Sequence, residues 1–167
     1  MNALSLFTGV GGLDLAAEAV GMKIVACCEI EPYPVEVLKL RFPGVKIYND
    51  VRKLSAEQLR NDGIPGIDIV IGGFPCQDLS CAGRQAGLEG ERSGLWFEML
   101  RIVREVRPSW VLAENVRNAV NLALDTCRVG LEAEGYEVRS FVLPASSVGA
   151  PHKRERLFIV AHTQRVA

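Results

Sequence analysis

The feature that most constrains this chain is a seven-fold recurrence of short β-type runs, separated over most of the length by segments of helical spacing. The runs are "ALSLF" (3–7), "KIVACCE" (23–29), "KIYND" (46–50), "IDIVIGG" (67–73), "SWVLAEN" (109–115), "EVRSFVL" (137–143) and "RLFIVAH" (156–162). Helical periodicity lies between them at 13–20, 34–41, 55–61, 95–106 and 119–134. That alternation predicts βαβ units, and the continuous apolar runs at 67–71 and 109–113 predict strands buried on both faces of a mostly parallel sheet. The last two runs are joined by about a dozen residues without helical pattern, which suggests an antiparallel pair at one edge. The fold class is therefore α/β.

Length agrees with one domain: 167 residues suffice for a core without disulfides or metal. No linker or repeat divides the chain. No apolar run approaches the roughly 18 residues of a membrane span, and no basic, apolar leader opens the sequence, so a cytoplasmic protein is expected. The five cysteines are an odd number without a CxxC pair, and there are two histidines, so neither a disulfide framework nor a metal site is suggested. Formal net charge is −1, so any nucleic acid would have to be held by a local basic cluster.

Ligand crevices of open parallel sheets lie beyond the carboxyl ends of the strands, and polar or glycine-rich features recur there. "LFTGVGGLDL" places Gly9, Gly11 and Gly12 in a turn between strand and helix, either a close approach of backbone to ligand or merely a tight turn. It does not match GxGxxG. Glu29, 20 residues beyond Gly9, ends the second run where nucleotide sites place an acid for ribose hydroxyls, although a solvated glutamate would also fit. Asp50 repeats the position after the third run.

Cys27, Cys28 and Cys127 fall inside strand or helix patterns and read as buried structural thiols. Cys76 differs, because "GGFPCQ" puts it in a loop at the crevice, where a thiol is a candidate nucleophile if nearby positive charge favours the thiolate. Glu114 and Asn115 end the fifth run, and an acid there can protonate or orient a substrate nitrogen. "HKRERLF" sets Arg154 and Arg156 on one side of an alternating segment, with a solvated edge as the plainer reading.

Taken in order, "FTGVGGLDL", Glu29, Asp50, "GFPCQDLS", "SGLWFEMLRIVREVRP", "ENV" and "KRERLF" resemble the cytosine-5 DNA methyltransferases from residue 3 to about 161. The resemblance implies the Rossmann-like class I methyltransferase fold and a single S-adenosylmethionine-dependent catalytic domain over 1–167. It implies that Phe7 stacks on the adenine and that Gly9, Gly11, Gly12 and Leu13 line the methionine end and open the helix. Glu29 would hold the ribose, Ile30 would pack beside the adenine, Asp50 with Val51 would read the adenine edge, and Pro75 and Leu95 would complete the floor.

It also implies an activity: methyl transfer to C5 of cytosine in double-stranded DNA. Cys76 would add to C6, Glu114 would engage N3 and the exocyclic amine, and Arg156 with Arg154 would contact the O2 side. The base must leave the duplex to be reached. The loop carrying Ser80, Arg84 and Arg92 would close on DNA phosphates.

The chain departs from the family pattern in three ways. His152 stands where glutamine is common, Ile30 replaces a frequent aromatic, and the target recognition region and C-terminal motifs do not follow "KRER". The expectation is a catalytic domain truncated before that region, which either works with a separate chain carrying it or is a relic, inactive without a partner. Two further readings stand beside this one: a non-catalytic cofactor-binding fragment, and an RNA cytosine-5 methyltransferase, whose Cys-Phe-Thr insert is missing.

Overall fold

In a computed structural model that describes residues 1–75 and 94–163, seven strands form one sheet in the order β3-β2-β1-β4-β5-β7-β6. The strands are β1 (Asn2–Leu6), β2 (Lys23–Cys28), β3 (Lys46–Tyr48), β4 (Ile69–Gly72), β5 (Trp110–Val116), β6 (Tyr136–Leu143) and β7 (Arg156–Thr163). The helices are α1 (Gly12–Ala19), α2 (Pro32–Arg41), α3 (Ala56–Asn61), α4 (Gly94–Val106), α5 (Ala119–Leu122) and α6 (Leu124–Ala133). β1 to β5 pair in parallel, and β7 runs antiparallel to both β5 and β6. The expected antiparallel edge pair is present, with β7 inserted between β5 and β6.

Two cores cover the two faces of the sheet. On one, Trp96, Met99, Leu100 and Val103 of α4 and Leu131 of α6 pack on Leu4, Val70, Val111 and Ile159. On the other, Ala17 of α1 and Leu38 of α2 pack on Ala3, Ile24, Cys27 and Ile71. Helix α4 shows why sequence leads here: its buried residues Trp96, Met99, Leu100 and Val103 recur at three- and four-residue spacing, so one stripe faces the sheet. Arg107, at φ 52°, then leaves the helix in the left-handed region, and Pro108 prevents resumption.

Two details lie beyond the sequence reading. The helical stretch expected over 119–134 is two helices, broken at Ala123, which adopts φ −131° with neither glycine nor proline to announce it. The connection before β7 contains a short 3-10 helix, Ala145–Val148. Cys27, Cys28 and Cys127 are buried in the core, as expected. Among the described residues no helix is long and apolar enough to cross a membrane, and no cluster of three or more His, Cys, Asp or Glu side chains could hold a metal.

Candidate active site

The chain runs outward from β1 through β2 to β3, then returns to the far side of β1 as β4. This reversal is the topological switch point at which open parallel sheets leave a crevice beyond their carboxyl ends. A cleft of about 560 Å³ opens there, and the end of every strand from β1 to β4 contributes to it: Phe7 from β1, Cys28 to Glu31 from β2, Asn49 to Arg52 from β3, Gly73 and Pro75 from β4. Leu95 of α4 closes one side. Seven residues expected to bind a cofactor line it: Phe7, Glu29, Ile30, Asp50, Val51, Pro75 and Leu95.

Glu29 organises the first turn of this rim. Its Oε2 accepts from the Gly9 amide at 2.6 Å, and its Oε1 accepts from the Glu31 amide at 2.8 Å. A carboxylate offers about four acceptor positions, so each oxygen keeps one for a ligand hydroxyl. Phe7 adopts φ 52°, a conformation that costs a non-glycine residue about 1–2 kcal/mol, and it does so where its ring borders the cleft.

The turn's glycines have different reasons. At Gly11, φ is 84° and an added Cβ would lie 2.7 Å from the Phe42 ring, so its glycine is required by packing against α2. At Gly9 and Gly12 an added Cβ would meet nothing within 4 Å, which leaves the backbone open to close approach. Leu13 packs into the α1/α2 core and is not part of the cleft lining.

Asp50 is locked by its neighbour. Its Oδ1 accepts from the Arg52 amide at 3.0 Å and from Arg52 Nε at 2.9 Å, and its Oδ2 accepts from Arg52 Nη2 at 3.0 Å. Those bonds hold the Asp50 carboxyl below the usual carboxylate range, so it is an ionised acceptor at neutral pH. Arg52 and Gly73 were absent from the expected set, as were the Cys28, Glu31 and Asn49 positions. Arg52 could have been suspected, since an Asp-X-Arg turn after a strand places guanidinium and carboxylate within reach. Burial, with the nearby carboxylates of Asp50 and Glu29, pushes the Cys28 thiol up to about 12, which leaves it unreactive at the cleft wall.

Next to the cleft, β5 and β7 bring together the acid and one arginine. Glu114 Oε1 pairs with Arg156 Nε at 2.8 Å, both side chains being about one-quarter exposed. The other oxygen, Oε2, lies 3.0 Å from where a Cβ on Gly73 would stand. Gly73 thus borders both the cleft and the acid, and any side chain there would displace one of them. Asn115, buried, donates from Nδ2 to the Phe74 carbonyl at 2.9 Å and so ties the end of β5 to the segment after β4. Arg154 is exposed, at φ 38°, two residues ahead of Arg156. Cys76, Cys81, Ser80, Arg84 and Arg92 lie outside the described residues.

Comparison with known proteins agrees with this architecture. The profile of the C-5 cytosine-specific DNA methylase family matches residues 1–167, and the chain belongs to that family. It is 34% identical over 169 residues to the type II methyltransferase M2.BsuMI of Bacillus subtilis (strain 168), covering 96% of this chain and 42% of that protein. It is 36% identical over 164 residues to the type II methyltransferase M.HhaI of Haemophilus parahaemolyticus, covering 96% of this chain and 48% of that one. The chain therefore spans about half the length of the relatives it matches. The crystal structure of the S. pombe Dnmt2 methyltransferase superposes with a TM-score of 0.82 at 22% identity over all of this chain and 52% of that one, a likeness of fold.

Proposed function

We propose that residues 1–167 form the S-adenosylmethionine-dependent catalytic domain of a DNA cytosine-5 methyltransferase, acting in the cytoplasm on double-stranded DNA. The observation that carries this reading is the adjacency of two sites across one glycine. Gly73 lines the cleft together with Glu29, and the same glycine stands against the Glu114 carboxylate of the Glu114–Arg156 pair. A group-transfer enzyme needs its donor and acceptor sites in contact with water kept out between them.

The residues present fit the cofactor. Glu29 keeps acceptor capacity for a ribose diol after binding two amides, Gly9 and Gly12 leave open backbone at the turn, and Phe7, Ile30, Val51, Pro75 and Leu95 supply apolar surface for a purine. Asp50, ionised and acceptor-only, has a lone pair to spare for a 6-amino group. When bound, the cofactor supplies an electrophilic methyl group on a sulfonium.

Cys76 is assigned the nucleophile. Its thiolate sulfur forms a bond to C6 of a flipped-out cytosine, and the C5–C6 π electrons move onto C5, which becomes nucleophilic. Glu114, its carboxyl fixed by Arg156, engages N3 and the exocyclic amine and stabilises the charge that this addition places on the ring. Arg156 and Arg154 meet the O2 side. After C5 is substituted, a base or water removes the C5 proton, the electrons restore the double bond, and the Sγ–C6 bond breaks. Ser80, Arg84 and Arg92 are assigned to DNA phosphates. Base-edge reading of a target sequence is assigned to polypeptide beyond these residues or to a separate chain.

Calorimetric titration with S-adenosylmethionine, followed by incubation with a duplex containing 5-fluorocytosine, tests the proposal. The protein should bind the cofactor and form a covalent adduct that Cys76→Ala does not form. A protein that binds the cofactor yet gives no adduct, alone or with the remaining half of a full-length relative, would instead be a cofactor-binding fragment.

A further inference from the structure

Helix α4 contributes to the cleft twice, once by touching it through Leu95 and once through Arg101, a side chain that does not line it. The guanidinium of Arg101 donates from Nη2 to the Val51 carbonyl at 2.8 Å and from Nη1 to the Leu54 carbonyl at 3.0 Å. It is itself held on both sides of its helix, by Glu98 at 2.7 Å and Glu105 at 2.7 Å. Glu105 also accepts from the Ala56 amide at 2.9 Å. Within the same segment the Lys53 and Leu54 amides donate back to the Asp50 carbonyl, closing residues 50–54 into a compact turn. One arginine therefore braces the two ends of the turn that presents Asp50, Val51 and Arg52 to the cleft.

A planar, forked cation suits this position better than a point charge does. Two carbonyls three residues apart are spanned by separate N–H groups of a single rigid guanidinium, and a lysine ammonium could satisfy one of them well but not both in fixed geometry. The turn matters chemically because Asp50 can accept a hydrogen bond but cannot donate one. A ligand edge bearing an amino group is favoured at such an acceptor, and one bearing a carbonyl is opposed to it. That discrimination survives only if the turn is held still.

We propose that Arg101 is a positioning residue for recognition of the purine edge: it holds the 50–54 turn so that the cleft distinguishes a 6-amino from a 6-oxo purine. This rests on the cofactor reading above. The test is calorimetry on the 167-residue protein with S-adenosylhomocysteine and its 6-oxo counterpart S-inosylhomocysteine, for the wild type, Arg101→Met and Arg101→Lys. The wild type should prefer the amino ligand by roughly tenfold or more, as expected when a partly buried carboxylate acceptor faces the wrong partner. Arg101→Met should lose most of that preference, and Arg101→Lys should recover part of it, with far-UV circular dichroism unchanged.

A parallel weakening of both ligands, with the ratio preserved in both variants, would show a merely structural brace and overturn the inference. Should Arg101→Met not fold, the ratio in Arg101→Lys decides: an intermediate value supports the inference and an unchanged one rejects it. If the wild type binds neither ligand, the cofactor reading itself fails; if it binds both equally, the inference alone falls.

Discussion

Glu29 accepts two amides from the segments on either side of it, so its removal takes away a ligand group and releases the turns that frame the cleft. Glu29→Ala should weaken S-adenosylmethionine binding by about 2–3 kcal/mol, the scale of a lost hydrogen bond to a charged group, readable by calorimetry. Arg156→Ala should separate the two sites: it leaves cofactor affinity nearly unchanged and slows adduct formation on a 5-fluorocytosine duplex by roughly 10²-fold, the scale for removing a group that stabilises developing charge. Asp14 lies behind the glycine turn, fully buried, its Oδ1 accepting from the Cys27 thiol at 3.8 Å and its Oδ2 without a partner among the described residues. Burial, the dominant cause, raises its pKa above the ordinary 3.8. Because the folded value is raised, the stability it contributes is present below 3.8 and is lost as pH climbs through the folded value. Asp14→Asn, close in shape and uncharged, should therefore compare more favourably with the wild type in urea unfolding at pH 7 than at pH 4. Equal differences at the two pH values would exclude this account.

At the scale of elements, the turn from β1 into α1 shows that adjacent glycines serve different ends. Gly11 sits against Phe42 in the left-handed region, so Gly11→Ala combines backbone strain with overpacking and should destabilise by about 2–4 kcal/mol in urea melts. Gly12 opens α1 into empty space, so Gly12→Ala should leave the melting midpoint nearly unchanged while weakening cofactor binding, because the added methyl group stands where the backbone is approached. Helix α4 links sequence to site in another way. Its apolar stripe was legible because one face is buried along its length, while the role of Arg101 was not, since its partners are backbone carbonyls 47 and 50 positions away. The break at Ala123 was equally silent, since no residue there resists a helix.

On the scale of the whole molecule, β6 forms one of the two edges of the open sheet. Along β6, Phe141 is 48% exposed and Leu143 50%, and across the sheet Trp110 is 39% exposed. Phe141 pairs in register with Phe158, and Trp110 with His162, which places these side chains on one face. Exposed apolar edge strands promote self-association, so Phe141→Lys with Leu143→Lys should raise the concentration at which light scattering detects aggregates, with a shift in stability near 0.5 kcal/mol or less. Most of the architecture followed from local pattern. Local hydrophobic pattern located the seven strands and the helical segments, apart from the break at Ala123, and the placement of Glu29, Asp50 and Glu114 at strand ends followed from the rule that parallel strands aim their carboxyl ends at one rim. Such patterns are local, because burial repeats along a strand or helix whatever lies opposite. What only the tertiary structure decided depends on neighbours distant in the chain: the insertion of β7 between β5 and β6, the pairing of Glu114 with Arg156, the contact that makes Gly11 a packing glycine, and the brace from Arg101 to the 50–54 turn. Each of these joins residues at least 13 positions apart, and no periodicity along a single segment carries that information.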